Sequence, residues 1–444
     1  QAALGLVRSS TARRDHAADR VRSNSTNLWE SFNIAGTVPV IAVDKVQAVA
    51  LAVCTYYFGV WLKGKVGVLS RYSIPSPVVG GMSFAIVVSF LEYFNIVKVQ
   101  IDSTLQTVLM LGFFTTIGLM ASLRVVKDGG RLLLGFLLAV TVLVFLQNGM
   151  GMAIAEAMGF DKHYGILAGS VSMMGGLGTA AAFGPYFEET YGITGGTAVA
   201  VTAATFGMVA ALLIGGPFGE WCIRRYQVKT PDEVQQPEPE LHLPDDMDTD
   251  ITEQHASAKP NFTNEIMRAV SGTALAMGLG TIVSNYLGHY ITLPAYIGAM
   301  IVATVIRNVG DFSGMYKVEG KGLNAVADIT LVLFVTMAIN NLKLHELVHL
   351  ALPLVVILAC QTILMLIYAW TVLFTAFGRS YDAVMLSVGG IGFSMGATAN
   401  GLANMQAISE KYGSSPRAWL IVSVVGAFLI DLINAVVITW FGTL

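Results

Sequence analysis

Ten stretches of the sequence are apolar for about 20 residues each, the length that a helix needs to cross the hydrocarbon core of a bilayer. They lie near residues 43–63, 75–93, 104–123, 131–155, 195–221, 267–288, 291–307, 323–342, 348–377 and 417–441. Only 12% of all residues are charged, against about 25% in soluble domains. The sequence therefore predicts an all-α integral membrane protein, and its net charge of −3 does not favour a nucleic-acid partner.

Two polar segments stand outside these runs. Residues 1–42 combine several arginines with serines, which predicts a disordered N-terminal tail or an organelle transit peptide. Residues 224–265 are acidic and rich in proline and contain too few apolar residues to bury a core. We expect this second segment to be a flexible cytoplasmic linker that separates one half of the chain, 43–223, from the other, 266–444.

The two halves resemble one another. Pro75 matches Pro294 and Thr179 matches Thr398, and both pairs are 219 residues apart (294 − 75 and 398 − 179). Each half has five crossings, an odd number, so the second half has to insert upside down relative to the first. With the linker in the cytoplasm, most loop lysines and arginines also lie on that side. The sequence thus predicts two inverted five-helix repeats, which are typical of secondary transporters.

Each half also contains a glycine-rich apolar stretch directly after a long span, at 164–187 and at 382–409. Irregular backbone at membrane depth is tolerated only inside protein or beside a watery cavity. We therefore expect each stretch to be a re-entrant hairpin of two half-helices, with its glycines at the apex. The alternative is that the glycines only allow helices to pack closely.

Half-helices that start at the apices would hold an anion without any basic side chain. Thr179 and Thr398 follow the glycines, and Thr is a good N-cap. A helix N-terminus carries partial positive charge and free N–H groups, whereas unwound carbonyl groups coordinate Na⁺. The predicted residues for binding the anion are Gly175, Gly176, Gly178, Thr179, Gly396, Thr398 and Asn400.

Polar residues inside the spans are candidates for binding a cation, because such groups are costly in lipid. Asp431 lies deep in the last span, and Asn434 lies one helical turn further on. We expect Asp431 to be a cation ligand or a proton carrier. Asn148, Gly392 and Asn404 complete the predicted Na⁺ site. For Gln147 and Gln361 we expect hydrogen bonds between helices.

One motif points to different chemistry. The string HELVH at 345–349 fits the pattern of zinc proteases. A third ligand is missing, because no His, Asp or Glu follows before Asp382. We interpret the motif as a coincidence. The sequence therefore predicts neither an enzyme nor a bound cofactor, and Na⁺ is expected only as the coupling ion.

Several strings together resemble the bacterial sodium/glutamate symporter family over about residues 43–444. They are YSIPSPVVGG (72–81), FFTTIGL (113–119), LAGSVSMMGGLGTAAAFG (167–184), ATFGMVAALLIGGP (204–217), GFSMGATANGLANMQAISEKYG (392–413) and VGAFLIDLINAVVI (425–438). The resemblance implies Na⁺-coupled import of L-glutamate across the bacterial inner membrane by a homodimer with an elevator-like motion. It implies a site around Gly175–Thr179, Gly392–Thr398, Asn404 and Asp431.

The chain differs from the family pattern at Leu177, Gly390, Ala399 and Asn400. These positions fall in the predicted site, so the substrate stays open between L-glutamate, a related small anionic amino acid and a dicarboxylate, with Na⁺ or H⁺ as the driving ion. An ion channel is the alternative from another functional class. If the N-terminal tail is a transit peptide, the membrane is that of an organelle.

Overall fold

The computed structural model describes residues 38–67, 69, 74–231, 262–287, 294–314, 321–344 and 349–444. Most of the predicted N-terminal tail, the greater part of the predicted linker and residues 345–348 of the HELVH string lie outside the described residues. The described part is almost entirely helical, which confirms the all-α class.

Helices occupy all ten predicted spans. In the first half they are α1 (Lys45–Lys65), α2 (Ser76–Tyr93), α3 (Thr104–Met120), α4 (Leu123–Ala157), α5 (Lys162–Ile166), α6 (Gly176–Tyr191) and α7 (Gly196–Tyr226). In the second half they are α8 (Phe262–Leu287), α9 (Ala295–Ser313), α10 (Lys321–Asn340), α11 (Ala351–Ala376), α12 (Tyr381–Ser394), α13 (Thr398–Tyr412) and α14 (Pro416–Gly442).

Eight helices of the described residues are long and apolar enough to cross a membrane: α1, α2, α4, α7, α8, α10, α11 and α14. The helix α3 is apolar but shorter, and α9 carries Arg307 and Asp311 near its end. Large apolar side chains such as Trp61, Leu138 and Ile282 are exposed on the outer faces of these helices, as lipid contact requires. The protein is therefore an integral membrane protein, and the inverted orientation of its halves stays a prediction.

A short parallel ladder, which was not predicted from the sequence, joins the residues before α1 to the residues between α2 and α3. Strand β1 (Val40–Val43) pairs with β2 (Lys98–Ile101), with Val40 opposite Lys98. Only two charged residues, Asp44 and Lys45, stand between the apolar residues of β1 and those of α1. The helix begins only after Asp44, whose carboxylate accepts hydrogen bonds from the backbone N–H groups of Val46 and Gln47.

The helices pack as two bundles that each take helices from both halves. The first three helices of each half, α1–α3 and α8–α10, form one bundle, which we call the six-helix bundle. The remaining elements, α4–α7 and α11–α14, form the hairpin bundle. The two bundles meet chiefly where α6 and α7 lie against α10 and where α14 lies against α3 and α9.

Candidate functional site

The helix that enters the first glycine-rich stretch is interrupted before the glycines. Helix α5 continues into a π-helical turn, Leu167–Val171, in which Gly169 has the non-helical angles φ −90° and ψ −130°. A turn over residues 172–175 follows, and α6 then begins at Gly176, whose φ is +63°. This left-handed conformation favours glycine over any residue with a side chain. The chain thus breaks and restarts at the predicted apex.

The second glycine-rich stretch is also two helices. Helix α12 ends at Ser394, and α13 begins at Thr398 after three residues that are not helical. The two helices pack so closely that a Cβ atom on Gly392 would lie 2.2 Å from the Cα atom of Gly401. Gly392 therefore has a packing role in this hairpin.

The two apices touch. A Cβ atom on Gly176 would lie 2.5 Å from the carbonyl oxygen of Gly396, so only glycine permits this approach. Two residues after Gly396, α13 begins. The N-termini of α6 and α13 therefore lie side by side within the hairpin bundle. The first apex packs against the six-helix bundle at Gly178, where an added Cβ atom would lie 3.0 Å from the ring of Phe113.

The predicted N-caps were wrong. The capping position of α6 is Gly175, and Thr179 is the fourth residue of that helix, packed against Gly175. The capping position of α13 is Ala397, and the Thr398 hydroxyl donates instead to the carbonyl oxygen of Gly426, 2.5 Å away. Neither helix start has a hydrogen bond from a capping side chain. No capping side chain therefore occupies the first turn of either helix, although the Gly176 N–H donates to the Ser172 carbonyl over 3.2 Å.

Two of the predicted Na⁺ residues come together at Ser170. The Ser170 N–H donates to Asn148 Oδ1 over 2.9 Å, and the Ser170 carbonyl accepts from Asn434 Nδ2 over 3.1 Å. All three side chains are buried. The hydroxyl oxygen of Ser170 and the Oδ1 atom of Asn434 have no hydrogen-bond partner in the described structure. We refer to Asn148, Ser170 and Asn434 as the Ser170 cluster.

Asp431 lies on α14 three residues before Asn434, and its side chain is partly exposed. Within the described residues its carboxylate forms no hydrogen bond or ion pair. An unpaired carboxylate inside a membrane-spanning helix is a default candidate for ion binding.

Asn400 and Asn404 take up another position, on the face of α13 that packs against α7. Their Nδ2 atoms donate to the carbonyl oxygens of Met208 and Ala211, over 2.8 and 3.0 Å. Asn404 also lies against Gly215, where a Cβ atom would come within 2.1 Å of Nδ2. These two amides join the second hairpin to α7, and the structure does not bring them to the Ser170 cluster.

The hydrogen bonds expected between helices for Gln147 and Gln361 are confirmed. Gln147 Nε2 donates to the carbonyl oxygen of Ser394 over 3.0 Å, and Gln361 Nε2 donates to that of Gln147 over 2.7 Å. Sequence reasoning did not identify Ser170 or Ser394, because nothing distinguishes one serine in a small-residue stretch from its neighbours.

The described residues contain no group of three or more His, Cys, Asp or Glu side chains that would hold a metal ion. Of the HELVH string only His349 is described, so its fit to zinc chemistry stays outside what the structure tests. A cavity of about 200 Å³ lies elsewhere between the two bundles, lined by Gln106, Glu188 and Lys343. None of the residues that line this cavity belongs to the hairpin apices.

Comparisons with known proteins point to one family. A family model described as sodium/glutamate symporter matches residues 41–414. The sodium/glutamate symporters of Escherichia coli (strain K12) and Shigella flexneri are each 37% identical to this chain over 401 residues, which is 89% of this chain and 96% of theirs. That of Haemophilus influenzae is 34% identical over 395 residues, 88% of this chain and 95% of its own length.

Proposed function

Because the chain belongs to the sodium/glutamate symporter family, we propose that it imports L-glutamate into a bacterial cell together with Na⁺. It is a transporter rather than an enzyme, and its membrane is the plasma membrane. The observation that supports the proposal most strongly is the contact between the hairpin apices at Gly176 and Gly396.

The apices supply the electrostatics that an anion needs. The N-termini of α6 and α13 lie together, and the sequence has no Lys or Arg in either 164–187 or 382–409. The partial positive charges of the two helix ends are then the local attraction for a carboxylate. We assign the backbone around Gly175, Gly176, Gly178 and Thr179, and around Gly396 and Thr398, to the substrate. Since the apices touch, binding requires them to separate.

For Na⁺ we propose the Ser170 cluster together with Asp431. The unpaired oxygens of Ser170 and Asn434 are buried beside a π-helical turn, and Asp431 is one helical turn from Asn434. Oxygen ligands from an interrupted helix are the usual environment for Na⁺ in such transporters. Gly392, Asn400 and Asn404 form helix contacts, and their part in binding either solute stays a prediction.

Transport requires the site to face each side of the membrane in turn. We propose that the hairpin bundle moves as a unit against the six-helix bundle, as an elevator does. The composition of the bundles supports this, because both hairpins lie in one of them. Homodimer formation, with the six-helix bundle as the static part, follows from the resemblance to the family and stays part of the proposal.

The test is uptake of labelled L-glutamate into proteoliposomes that contain the purified chain. An inward Na⁺ gradient is expected to drive saturable accumulation, and a choline gradient of equal ionic strength is not. Accumulation of succinate in preference to glutamate would move the assignment to dicarboxylates, the alternative left open by Leu177, Gly390 and Ala399. Flux that neither saturates nor depends on the gradient would contradict a symporter and favour a channel.

A further inference from the structure

Several buried side chains outside the Ser170 cluster have an oxygen atom with no partner, and three of these residues are connected to one another by hydrogen bonds. Gln147, Gln361 and Ser394 are at most 1% exposed. Within the described structure, Gln147 Oε1, Gln361 Oε1 and Ser394 Oγ form no hydrogen bond. Buried polar atoms in native proteins nearly always have a partner, so three such atoms on residues in contact indicate a ligand.

The orientation of both amides is fixed by the carbonyl groups that they face. Gln147 Nε2 donates to the Ser394 carbonyl, and Gln361 Nε2 donates to the Gln147 carbonyl. If the nitrogen and oxygen of either amide were exchanged, the amide oxygen would face a carbonyl oxygen, which is unfavourable. The unpaired amide atoms are therefore oxygens. The ligand therefore has to be a cation or a hydrogen-bond donor.

The backbone adds a negative potential at the same place. Ser394 is the last residue of α12, a helix of 14 residues. The last carbonyl groups of a helix lack intrahelical partners and carry a partial negative charge. A cation is favoured at such a helix end, and oxygen is the ligand type that alkali and alkaline-earth ions prefer.

We propose that Gln147, Gln361 and Ser394 bind a monovalent cation at a site separate from the Ser170 cluster. The identification of this cation as Na⁺ rests on the proposed function. The site joins the apex of the second hairpin to α4 and α11, and Gln147 is the neighbour of Asn148 on α4. Cation binding here would hold the second hairpin in place, next to the first.

Ser394→Ala is the sharpest variant, because it removes only an oxygen that has no hydrogen bond to lose. Ser387→Ala is the matched control: Ser387 is on the same helix and equally buried, but its hydroxyl donates to the Ala383 carbonyl. Ser394→Cys gives a second test, since a thiol keeps the shape but is a poor ligand for a hard cation.

The readout is the thermal unfolding midpoint of the purified full chain as Na⁺ replaces choline at constant ionic strength. Loss of one charge-assisted oxygen contact is expected to raise the Na⁺ concentration for half-maximal stabilisation about tenfold in Ser394→Ala and Ser394→Cys. Ser387→Ala is expected to keep the wild-type value. If only a water occupies the site, all four proteins respond to Na⁺ alike and the proposal is overturned.

Uptake measurements separate this proposal from the proposed function. Wild-type Na⁺-driven glutamate uptake with an unchanged Na⁺ requirement in Ser394→Ala would overturn the second site and leave the symporter standing. The opposite outcome is that Ser394→Ala weakens stabilisation by Na⁺ while glutamate uptake by the wild-type chain does not depend on Na⁺. That result would support the site and contradict the proposed coupling.

Discussion

Asp431 places a carboxylate inside a membrane-spanning helix, where the described residues give it neither a hydrogen bond nor an ion pair. Its proximity to Asn434 and the Ser170 cluster makes it the charged member of the proposed Na⁺ site. The sequence identified Asp431, Asn148 and Asn434 from their types alone, because polar groups in spans are rare. It could not identify Ser170, whose contribution depends on the π-helical turn that contains it.

Asp431→Asn is expected to raise the Na⁺ concentration for half-maximal glutamate uptake about tenfold or more, because a charged ligand is replaced by a neutral one. Proteoliposome uptake at varied Na⁺ measures it. Asp328→Asn serves as the control, since Asp328 is an exposed carboxylate on α10 of the six-helix bundle. An Asp431→Asn protein with the Na⁺ dependence of the wild type would refute the assignment.

Arg307 and Asp311 form a buried ion pair near the end of α9, with side chains 8% and 10% exposed and 3.1 Å between Nε and Oδ2. Ser122 also donates to Asp311 over 2.6 Å, which ties the start of α4 to α9. Asp311→Asn removes the carboxylate charge that faces Arg307 in this buried pair and is expected to lower the free energy of unfolding by about 3–5 kcal/mol.

Denaturant titration of the reconstituted protein measures that loss. Glu220→Gln is the comparison, because Glu220 pairs with Arg224 and Lys411 on the surface, where such pairs contribute about 0–1 kcal/mol. Equal losses in the two variants would show that burial of the Arg307 pair has no energetic consequence.

At the scale of elements, the interrupted helices follow from a simple conflict between glycine-rich sequence and a lipid environment that demands paired backbone groups. The glycines marked where the chain breaks to within a few residues. They did not mark the caps: Thr179 lies inside α6, because the left-handed Gly176 lets the helix start earlier. Thr398 is drawn to the Gly426 carbonyl on α14, a contact distant in sequence.

Gly176→Ala is expected to abolish most glutamate uptake, because a methyl group would press against the Gly396 carbonyl and force the apices apart. Gly192→Ala is the control for backbone strain alone. Gly192 has a similar φ of +70°, at the end of α6, with no atom within 4 Å of an added Cβ. Both variants carry a similar strain of about 1–2 kcal/mol. Equal uptake by the two would show that the apex contact has no functional role.

At the scale of the whole molecule, each of the two bundles contains helices from both halves of the sequence. Composition and repeat spacing predicted five crossings on either side of the linker, and they divided the chain at residues 224–265. They did not predict that helices of both halves would interleave, since that depends on which faces pack, and all spans are similarly apolar. The proposed motion belongs to these composite bundles and not to the halves.

Cross-linking tests whether the bundles move. The rings of Phe183 on α6 and Tyr296 on α9 lie 5.4 Å apart across the boundary between bundles. In a chain without its native cysteines, bridging Phe183→Cys to Tyr296→Cys with a short thiol-reactive linker is expected to stop glutamate uptake. The matched control bridges Phe114→Cys to Tyr296→Cys, whose native rings stack at 4.6 Å within the six-helix bundle.

The control cross-link is expected to leave most uptake intact, because it joins two parts of one bundle. Full activity with the boundary bridged would rule out a sliding motion at this surface. Loss of activity with both bridges would show that the reagent, and not the boundary, is responsible.

The most direct measurement of the central claim is an experimental structure of the protein in a lipid nanodisc with L-glutamate and Na⁺, compared with one in choline without glutamate. The account predicts that a glutamate carboxylate lies within hydrogen-bond distance of the first N–H groups of α6 and α13, just after Gly175 and Ala397, with the Gly176–Gly396 contact opened. Glutamate bound away from both helix starts, with the apices still in contact, would contradict it.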